Sequence, residues 1–118
     1  MAILRGEWGR GGEVGVTFAG DGCLRDLNRE FLGRDEPTDV IAFNLSSGDD
    51  DLVGDVYISV DRAADQARDL GIDLEEELLR LELHGLLHLV GYDHTGEDDA
   101  MWKVQEDWLR RLIGKVKT

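Results

Sequence analysis

The sequence predicts an α/β (α+β) protein in which helices pack on a small mixed β-sheet. Three segments carry the hydrophobic pattern of strands, and segments with helical spacing of apolar residues follow the first and the third. A further segment, residues 78–91, is apolar on nearly every face, which is typical of a helix buried in the core. The 118 residues are long enough for one hydrophobic core, so we expect a single domain, residues 1–118.

The predicted strands span residues 13–18, 39–45 and 53–60. The first alternates, with apolar side chains on one side at Val14, Val16 and Phe18. The second, DVIAFNL, is the nearly continuous apolar run of a buried strand, and the third places Val56 and Ile58 on one face.

The first two helices are predicted by apolar spacing and by their end signals. Asp21 is a candidate N-cap for a helix whose apolar positions are Leu24, Leu27, Phe31 and Leu32. A second helix, residues 61–70, stops at Gly71, because glycine readily adopts the conformation that follows a helix.

The buried helix should begin after Asp73, which forms a possible capping box with Glu76. Gly91 is expected to end it and to let the chain reverse. A last helix, residues 97–112, then closes the domain.

The composition limits the environment and the partners. A net charge of -13 argues against a polyanionic partner, because neutralising phosphates requires Lys and Arg. Residues 1–34 are neutral, so any basic surface must come mainly from Arg25, Arg29 and Arg34, for which ordinary solvated helix residues are the simpler explanation.

No stretch approaches the roughly 20 apolar residues of a membrane span, and residues 1–12 carry no evident export signal. The single cysteine, Cys23, fits a reducing compartment. We therefore expect a cytoplasmic protein without a membrane partner, and the oligomeric state is left open.

All three histidines, His84, His88 and His94, fall within eleven residues. His84 and His88 are four apart on one helix and project from the same side, and the reversal after Gly91 can return His94 toward them. We predict that they bind one divalent metal ion, most simply zinc, although spacing alone does not choose among borderline ions. Three imidazoles leave the fourth tetrahedral position open for water, which is the pattern of a hydrolytic site.

The histidine spacing is also that of the metzincin proteases, whose motif places glutamate directly after the first histidine. Gly85 holds that position here, which argues against peptide hydrolysis. A glycine within a helix costs roughly 1 kcal/mol relative to alanine, so we expect Gly85 to permit close approach of a neighbouring backbone or of a substrate.

The catalytic group beside the metal-bound water is unknown from the sequence. Asp93 is a weak candidate for the general base: a carboxylate that orients a histidine explains it at least as well, and an N-terminal helix cap is the simplest explanation. Asp39 and Asp55 lie near predicted strand ends, where turn chemistry is the simpler explanation. Thr38 and Arg34 are candidates for phosphate contact if their loop borders the metal.

The run HGLLHLVGYDH, residues 84–94, resembles the motif of the YbeY family of metal-dependent endoribonucleases. Three further stretches resemble the family in the right order: Leu27 with Asn28, PTDVIAF at 37–43, and GDVYIS at 54–59. The resemblance covers about residues 14–110.

The resemblance implies that His84, His88 and His94 bind zinc and that helices surround the small mixed sheet, with the metal site at the C-terminal end of a buried central helix. It implies cleavage of single-stranded RNA in 16S rRNA 3′-end maturation and ribosome quality control, with rRNA and the small ribosomal subunit as partners. Two alternatives stay open: a non-catalytic ribosome-assembly factor with a structural metal, and a metal hydrolase of another substrate.

Some features depart from the family pattern. The N-terminal segment is expected to be shorter than in the family, and Ile41 with Ala42 replaces the common Leu-Ser pair. Some members carry arginine where this chain has Val60, and Arg62 lies two residues further on as a possible substitute.

Overall fold

A computed structural model describes residues 12–46, 52–90 and 100–117 of the chain. These ranges contain three strands and four helices, which confirms the predicted class of a small mixed sheet with helices. In chain order the elements are β1 (Gly12–Ala19), α1 (Asp21–Leu32), β2 (Val40–Asn44), β3 (Leu52–Ser59), α2 (Val60–Leu70), α3 (Leu74–Leu89) and α4 (Ala100–Lys117).

The strand β3 lies in the centre of the sheet, whose order is β1-β3-β2. It pairs parallel to β1, with Val16 beside Val56, and antiparallel to β2, with Ala42 opposite Val56. Because β3 is paired on both edges, its inward side chains are the most deeply buried of the sheet: Leu52, Val56 and Ile58 are each 0 % exposed.

The two faces of the sheet carry different partners, because side chains alternate along a strand. Val56 and its cross-strand neighbour Ala42 face the helix α3 and belong to the main core. On the other face Phe43 makes edge-to-face contacts with Tyr57 of β3, at 5.9 Å between ring centroids, and with Phe31 of α1, at 5.5 Å. The sheet is therefore the middle layer between α1 and α3.

The helix α3 is the core helix that the sequence predicts. Its buried positions lie on several faces, and they are Glu77, Leu81, Leu83, Gly85, Leu86, Leu87 and Leu89. It contacts both β2 and β3 as well as α2 and α4, so most of the other elements are arranged around it.

Gly85 sets how closely α3 approaches the sheet. A β-carbon at this position would lie 2.6 Å from Cγ1 of Val56 and 3.3 Å from Cγ2 of Val40. The expectation of a neighbouring backbone or a substrate at Gly85 is therefore corrected: the close neighbours are two β-branched side chains of the sheet.

The predicted N-cap role of Asp21 is wrong by one position. The helix α1 begins at Asp21, and its N-cap is Gly20, which has no side chain to accept a hydrogen bond. The backbone N–H of Asp21 donates instead to Asp61 at 2.8 Å, so a carboxylate of α2 satisfies this helix end. The Asp21 carboxylate accepts from the Ser59 hydroxyl at 3.2 Å and from Arg62 Nε at 3.1 Å.

The ends of α3 also differ from the prediction. Asp73 is the N-cap, but its side chain makes no capping hydrogen bond, so the capping box with Glu76 is not formed. At the other end the helix stops at Leu89, and Asn44 of β2 donates its amide to the Leu89 carbonyl at 3.1 Å. Gly91, the predicted stop, lies outside the described residues.

The remaining helix ends follow the sequence more closely. Gly71 ends α2 with a left-handed φ of 69°, as predicted, and α4 continues past residue 112 to Lys117. Within the described ranges, no helix combines the length and the apolar character needed to cross a membrane.

We predict that Gly85→Ala lowers the free energy of unfolding, by up to about 2 kcal/mol. Overpacking against Val56 costs roughly 1–3 kcal/mol, and the better helix propensity of alanine returns about 1 kcal/mol. Urea denaturation of the purified variants measures the change.

Gly22→Ala is the matched control, because Gly22 lies in α1 and nothing stands within 4 Å of the added β-carbon. This control should be neutral or slightly stabilising. In a double-mutant cycle, Val56→Ala should relieve part of the Gly85→Ala loss. Equal effects of the two glycine substitutions would contradict a steric role for Gly85.

Candidate metal centre

The imidazoles of His84 and His88 meet on one side of α3, as their spacing predicts. Their Nε2 atoms lie 3.2 Å apart, and their ring planes are inclined at 83°. Two nitrogen ligands at 2.0–2.1 Å from a tetrahedral zinc ion lie roughly 3.3–3.4 Å apart. The geometry of this histidine pair, His84 and His88, therefore fits two ligands of one zinc ion.

The third predicted ligand, His94, and the candidate general base, Asp93, lie outside the described residues. Within the ranges the structure describes, no group of three or more His, Cys, Asp or Glu side chains is arranged to hold a metal. The three-histidine ligand set and the role of Asp93 stay predictions.

The other ring nitrogen of His84 is held by a residue that the sequence analysis missed. Nδ1 of His84 lies 2.8 Å from Oε1 of Gln105, which comes from α4 and is 2 % exposed. The sequence signal that could have identified Gln105 is its position on the apolar face of a helix, three, four and seven residues before Trp108, Leu109 and Leu112. A buried amide at such a position needs polar partners.

A cavity of about 460 Å³ opens beside His84; we call it the Arg80 cavity. Its polar lining includes Asp39, Glu77 and Arg80, and Trp102 and Leu81 contribute apolar wall. Asp39, predicted near a strand end, directly precedes β2 and accepts a hydrogen bond from Gln66 at 3.3 Å. Of the two predicted strand-end aspartates, the structure brings Asp39 to the cavity beside the histidine pair.

Asp55 does not lie at a strand end and does not line the cavities beside the histidine pair. It is the fourth residue of β3, between Gly15 of β1 and Phe43 of β2. The prediction of a strand-end position is wrong, because β3 begins at Leu52 and continues past Asp55 to Ser59.

Arg80, which lies in the wall of the Arg80 cavity, pairs with two carboxylates. It donates to Glu77 at 3.1 Å and forms a two-point contact with Glu106, at 3.1 and 3.2 Å. Burial raises the pKa of Glu77, although the hydrogen bond from Arg80 opposes that effect. Burial disfavours the charged form of Arg80, but the hydrogen bonds to Glu106 and Glu77 outweigh it and raise the pKa of Arg80.

A second cavity, of about 500 Å³, lies on the His88 side; we call it the Arg34 cavity. Its lining includes Arg34, Glu36 and Thr38 from the loop between α1 and β2. The sequence predicts phosphate contact by Arg34 and Thr38 if their loop borders the metal. The structure places that loop beside His88.

Asn28 fixes the loop that carries Arg34 and Thr38. Its side-chain amide donates to the Glu36 carbonyl at 2.9 Å, and its own carbonyl accepts from the Arg34 N–H at 3.2 Å. Asn28 is only 4 % exposed, so these contacts are shielded from water. One buried residue therefore holds both halves of the loop, through its side-chain amide and its backbone carbonyl.

The other arginines considered from the sequence are engaged elsewhere. Arg25 and Arg29 are exposed and pair with Asp35, at 3.0 and 4.0 Å, and Arg29 also pairs with Asp26 at 3.1 Å. These contacts match the interpretation as ordinary solvated residues. Arg62 is directed to Asp21 rather than to the histidine pair.

The fold and the site together define a small α+β protein with a paired-histidine candidate metal centre on its core helix. The family model described as Endoribonuclease YbeY matches residues 3–113. The chain therefore belongs to the YbeY endoribonuclease family.

Individual relatives agree with this membership. The chain is 39% identical over 116 residues to an endoribonuclease YbeY of Carboxydothermus hydrogenoformans, covering 97% of this chain and 81% of the relative. It is 40% identical over 108 residues to that of Aquifex aeolicus, covering 88% and 72%. A solution structure of a Thermotoga maritima protein has a TM-score of 0.69 and 33% identity, and it covers 98% of this chain and 77% of that one.

We predict that Arg80→Met destabilises the fold by roughly 3–5 kcal/mol near neutral pH, because it leaves a buried charge unpaired. The Glu77 side chain is 3% exposed and would lose its partner. Because burial raises the folded-state pKa of Glu77, its contribution to stability falls as pH rises from the unfolded to the folded pKa. Without Arg80 the folded-state pKa of Glu77 should rise further, because the arginine opposes the effect of burial. The destabilisation measured by denaturant titration should therefore be smaller at acidic pH than at neutral pH.

The double variant Glu77→Gln with Arg80→Met should recover much of the stability, because Glu77, the more deeply buried of the two carboxylates that contact Arg80, is then replaced by a neutral amide. Arg68→Met is the control, since Arg68 is 73% exposed and pairs with Asp65 on the surface of α2. Arg68→Met should lower the free energy of unfolding by less than about 1 kcal/mol. A cost of Arg80→Met that does not depend on pH would contradict this assignment.

Proposed function

We propose that the protein is a zinc-dependent, single-strand-specific endoribonuclease of the cytoplasm. It acts in 16S rRNA 3′-end maturation and in ribosome quality control, with rRNA of the small subunit as its partner. The observation that carries the proposal is the 3.2 Å approach of the Nε2 atoms of His84 and His88 in a chain of the YbeY endoribonuclease family.

His84 and His88, with His94 as the predicted third ligand, would hold the zinc ion. When bound, zinc supplies a Lewis acid for a phosphoryl oxygen and activates water for hydrolysis. The chain's own contribution is to orient the imidazoles and to bring the phosphodiester beside them. Asp93 is the candidate for the group that moves the proton, and its alternative roles are to orient a histidine or to cap a helix.

Charge supports an approach of the phosphodiester from the Arg34 cavity. The Arg80 cavity includes three carboxylates, from Asp39, Asp69 and Glu77, against the single guanidinium of Arg80. The Arg34 cavity combines one guanidinium with Glu36 and with the hydroxyl of Thr38. A phosphate is repelled less on this side, and an arginine can bind it with two donors.

We expect metal-loaded protein to cleave single-stranded RNA and to leave a duplex of the same sequence intact, while His88→Ala abolishes the cleavage. Elemental analysis should find about one zinc ion per chain, lost when His84 and His88 are both replaced by alanine. Gel analysis of labelled RNA measures the reaction.

Each other result has a defined meaning. Cleavage that survives His88→Ala would identify a contaminating nuclease. Unfolding on chelation, with no cleavage by the zinc-loaded protein, would favour a ribosome-assembly factor with a structural metal. Stoichiometric zinc with activity only on other substrates would favour a different metal hydrolase.

We predict that Arg34→Ala weakens single-stranded RNA binding and lowers kcat/KM. Loss of one phosphate contact should reduce the slope of log K against log salt by about 0.7. Fluorescence anisotropy of labelled RNA over a salt series measures the slope. Arg110→Ala is the control, because Arg110 is 76% exposed, pairs with Asp107 and does not line the two cavities. Equal slopes for the two variants would contradict a phosphate contact at Arg34.

A further inference from the structure

We propose that Gln105 is a positioning residue that fixes the ring of His84 in the Nδ1–H tautomer and so presents the Nε2 lone pair to the metal. This inference rests on the proposed function only for the identity of the metal. The tautomer itself is set by hydrogen-bond partners on α3 and α4, all within the described residues.

The chain of hydrogen bonds begins at Arg80, whose guanidinium can only donate. Its two-point contact with Glu106 occupies both carboxylate oxygens with donors, at 3.1 and 3.2 Å. Such a pairing holds Glu106 as a carboxylate, which can only accept. Arg80 is itself held from the other side by Glu77, which is 2 % exposed.

The side-chain amide of Gln105 comes next, and Glu106 decides which way it points. One end of the amide lies 3.2 Å from Oε2 of Glu106, so this end must be the NH₂ group. The opposite end, 2.8 Å from Nδ1 of His84, must then be the carbonyl oxygen. The orientation of an amide is assigned from its partners, and here the partners permit one assignment.

A carbonyl oxygen can only accept, so Nδ1 of His84 must carry a proton. In the neutral ring the lone pair is then on Nε2, which is the atom that faces Nε2 of His88 at 3.2 Å. Metal-bound histidines commonly donate their second N–H to a carbonyl or carboxylate, which fixes the ring orientation and the tautomer. The polarity set by Arg80 is thus passed through Glu106 and Gln105 to His84.

The contact also has the burial that a positioning role requires. Gln105 is 2 % exposed, so water does not readily replace its hydrogen bonds. Gln105 and His84 are 21 residues apart in sequence and come from different helices, so the contact forms only when α4 is docked on α3.

Two measurements on metal-free and zinc-loaded protein test the proposal. In metal-free protein, ¹⁵N NMR shifts of the ring should show the Nδ1–H tautomer for His84, and Gln105→Met should move the population toward Nε2–H. In competition with a chromophoric chelator, Gln105→Met should bind zinc about 10–100-fold more weakly than the wild type.

Two further variants separate positioning from packing. The exchange variant Gln105→Glu with Glu106→Gln keeps both the net charge and an acceptor beside His84, so it should retain more zinc affinity than Gln105→Met. Gln66→Met is the matched control, because Gln66 lines the Arg80 cavity, as Gln105 does, but donates to Asp39. The zinc affinity of this variant should stay at the wild-type value. Urea denaturation confirms that each variant is folded.

The possible outcomes are distinguishable. An Nε2–H tautomer of His84 in the wild type, or equal loss of affinity in Gln105→Met and in the exchange variant, would overturn the proposal. If the wild type binds no zinc, the proposed function fails, whereas the NMR tautomer still decides the role of Gln105. If zinc binds and Gln105→Met leaves its affinity unchanged, only the present inference fails.

Discussion

The close contact between α3 and the sheet at Gly85 is the constraint on which the rest of the structure depends. A side chain there would overlap Val56, and Val56 is the fully buried centre of the middle strand. His84 directly precedes Gly85, and His88 follows it by one short turn. The backbone position that lets the helix settle on the sheet therefore also fixes where both imidazoles emerge from the core. Packing and site geometry are set at the same point.

Electrostatics then gives the site its polarity. Arg80, Glu106 and Gln105 form a chain in which each donor and acceptor is determined by the one before it, and the chain ends at Nδ1 of His84. On the other side of the histidine pair, Asn28 holds the loop that carries Arg34. Although the net charge of the protein is -13, an arginine lines the cavity on the His88 side, whereas three carboxylates, from Asp39, Asp69 and Glu77, line the cavity beside His84.

Much of the fold was predictable because its signals are local. Periodicity identified all three strands, and the run of apolar residues around His84 and His88 identified α3 as the core helix. The predictions that failed depend on contacts between distant parts of the chain. The Asp21 carboxylate accepts a hydrogen bond from Arg62, and Asp61 of α2 accepts from the first N–H of α1. Gln105 could not be connected to His84, because 21 residues and a change of helix separate them. His94 and Asp93 lie outside the described residues, so the third ligand rests on the sequence.

The docking of α4 has a consequence for how the centre behaves in time. Glu106 and Gln105 are neighbours on α4, and both contact side chains of α3. Lifting α4 from α3 therefore breaks the contact between Arg80 and Glu106 and removes the acceptor of the His84 Nδ1–H in the same event. Local opening of α4 and loss of the hydrogen bond that orients the His84 ring are thermodynamically linked, so an interaction that stabilises the oriented ring also stabilises the docked helix. The docking of α4 therefore determines whether the His84 ring is held in its orientation.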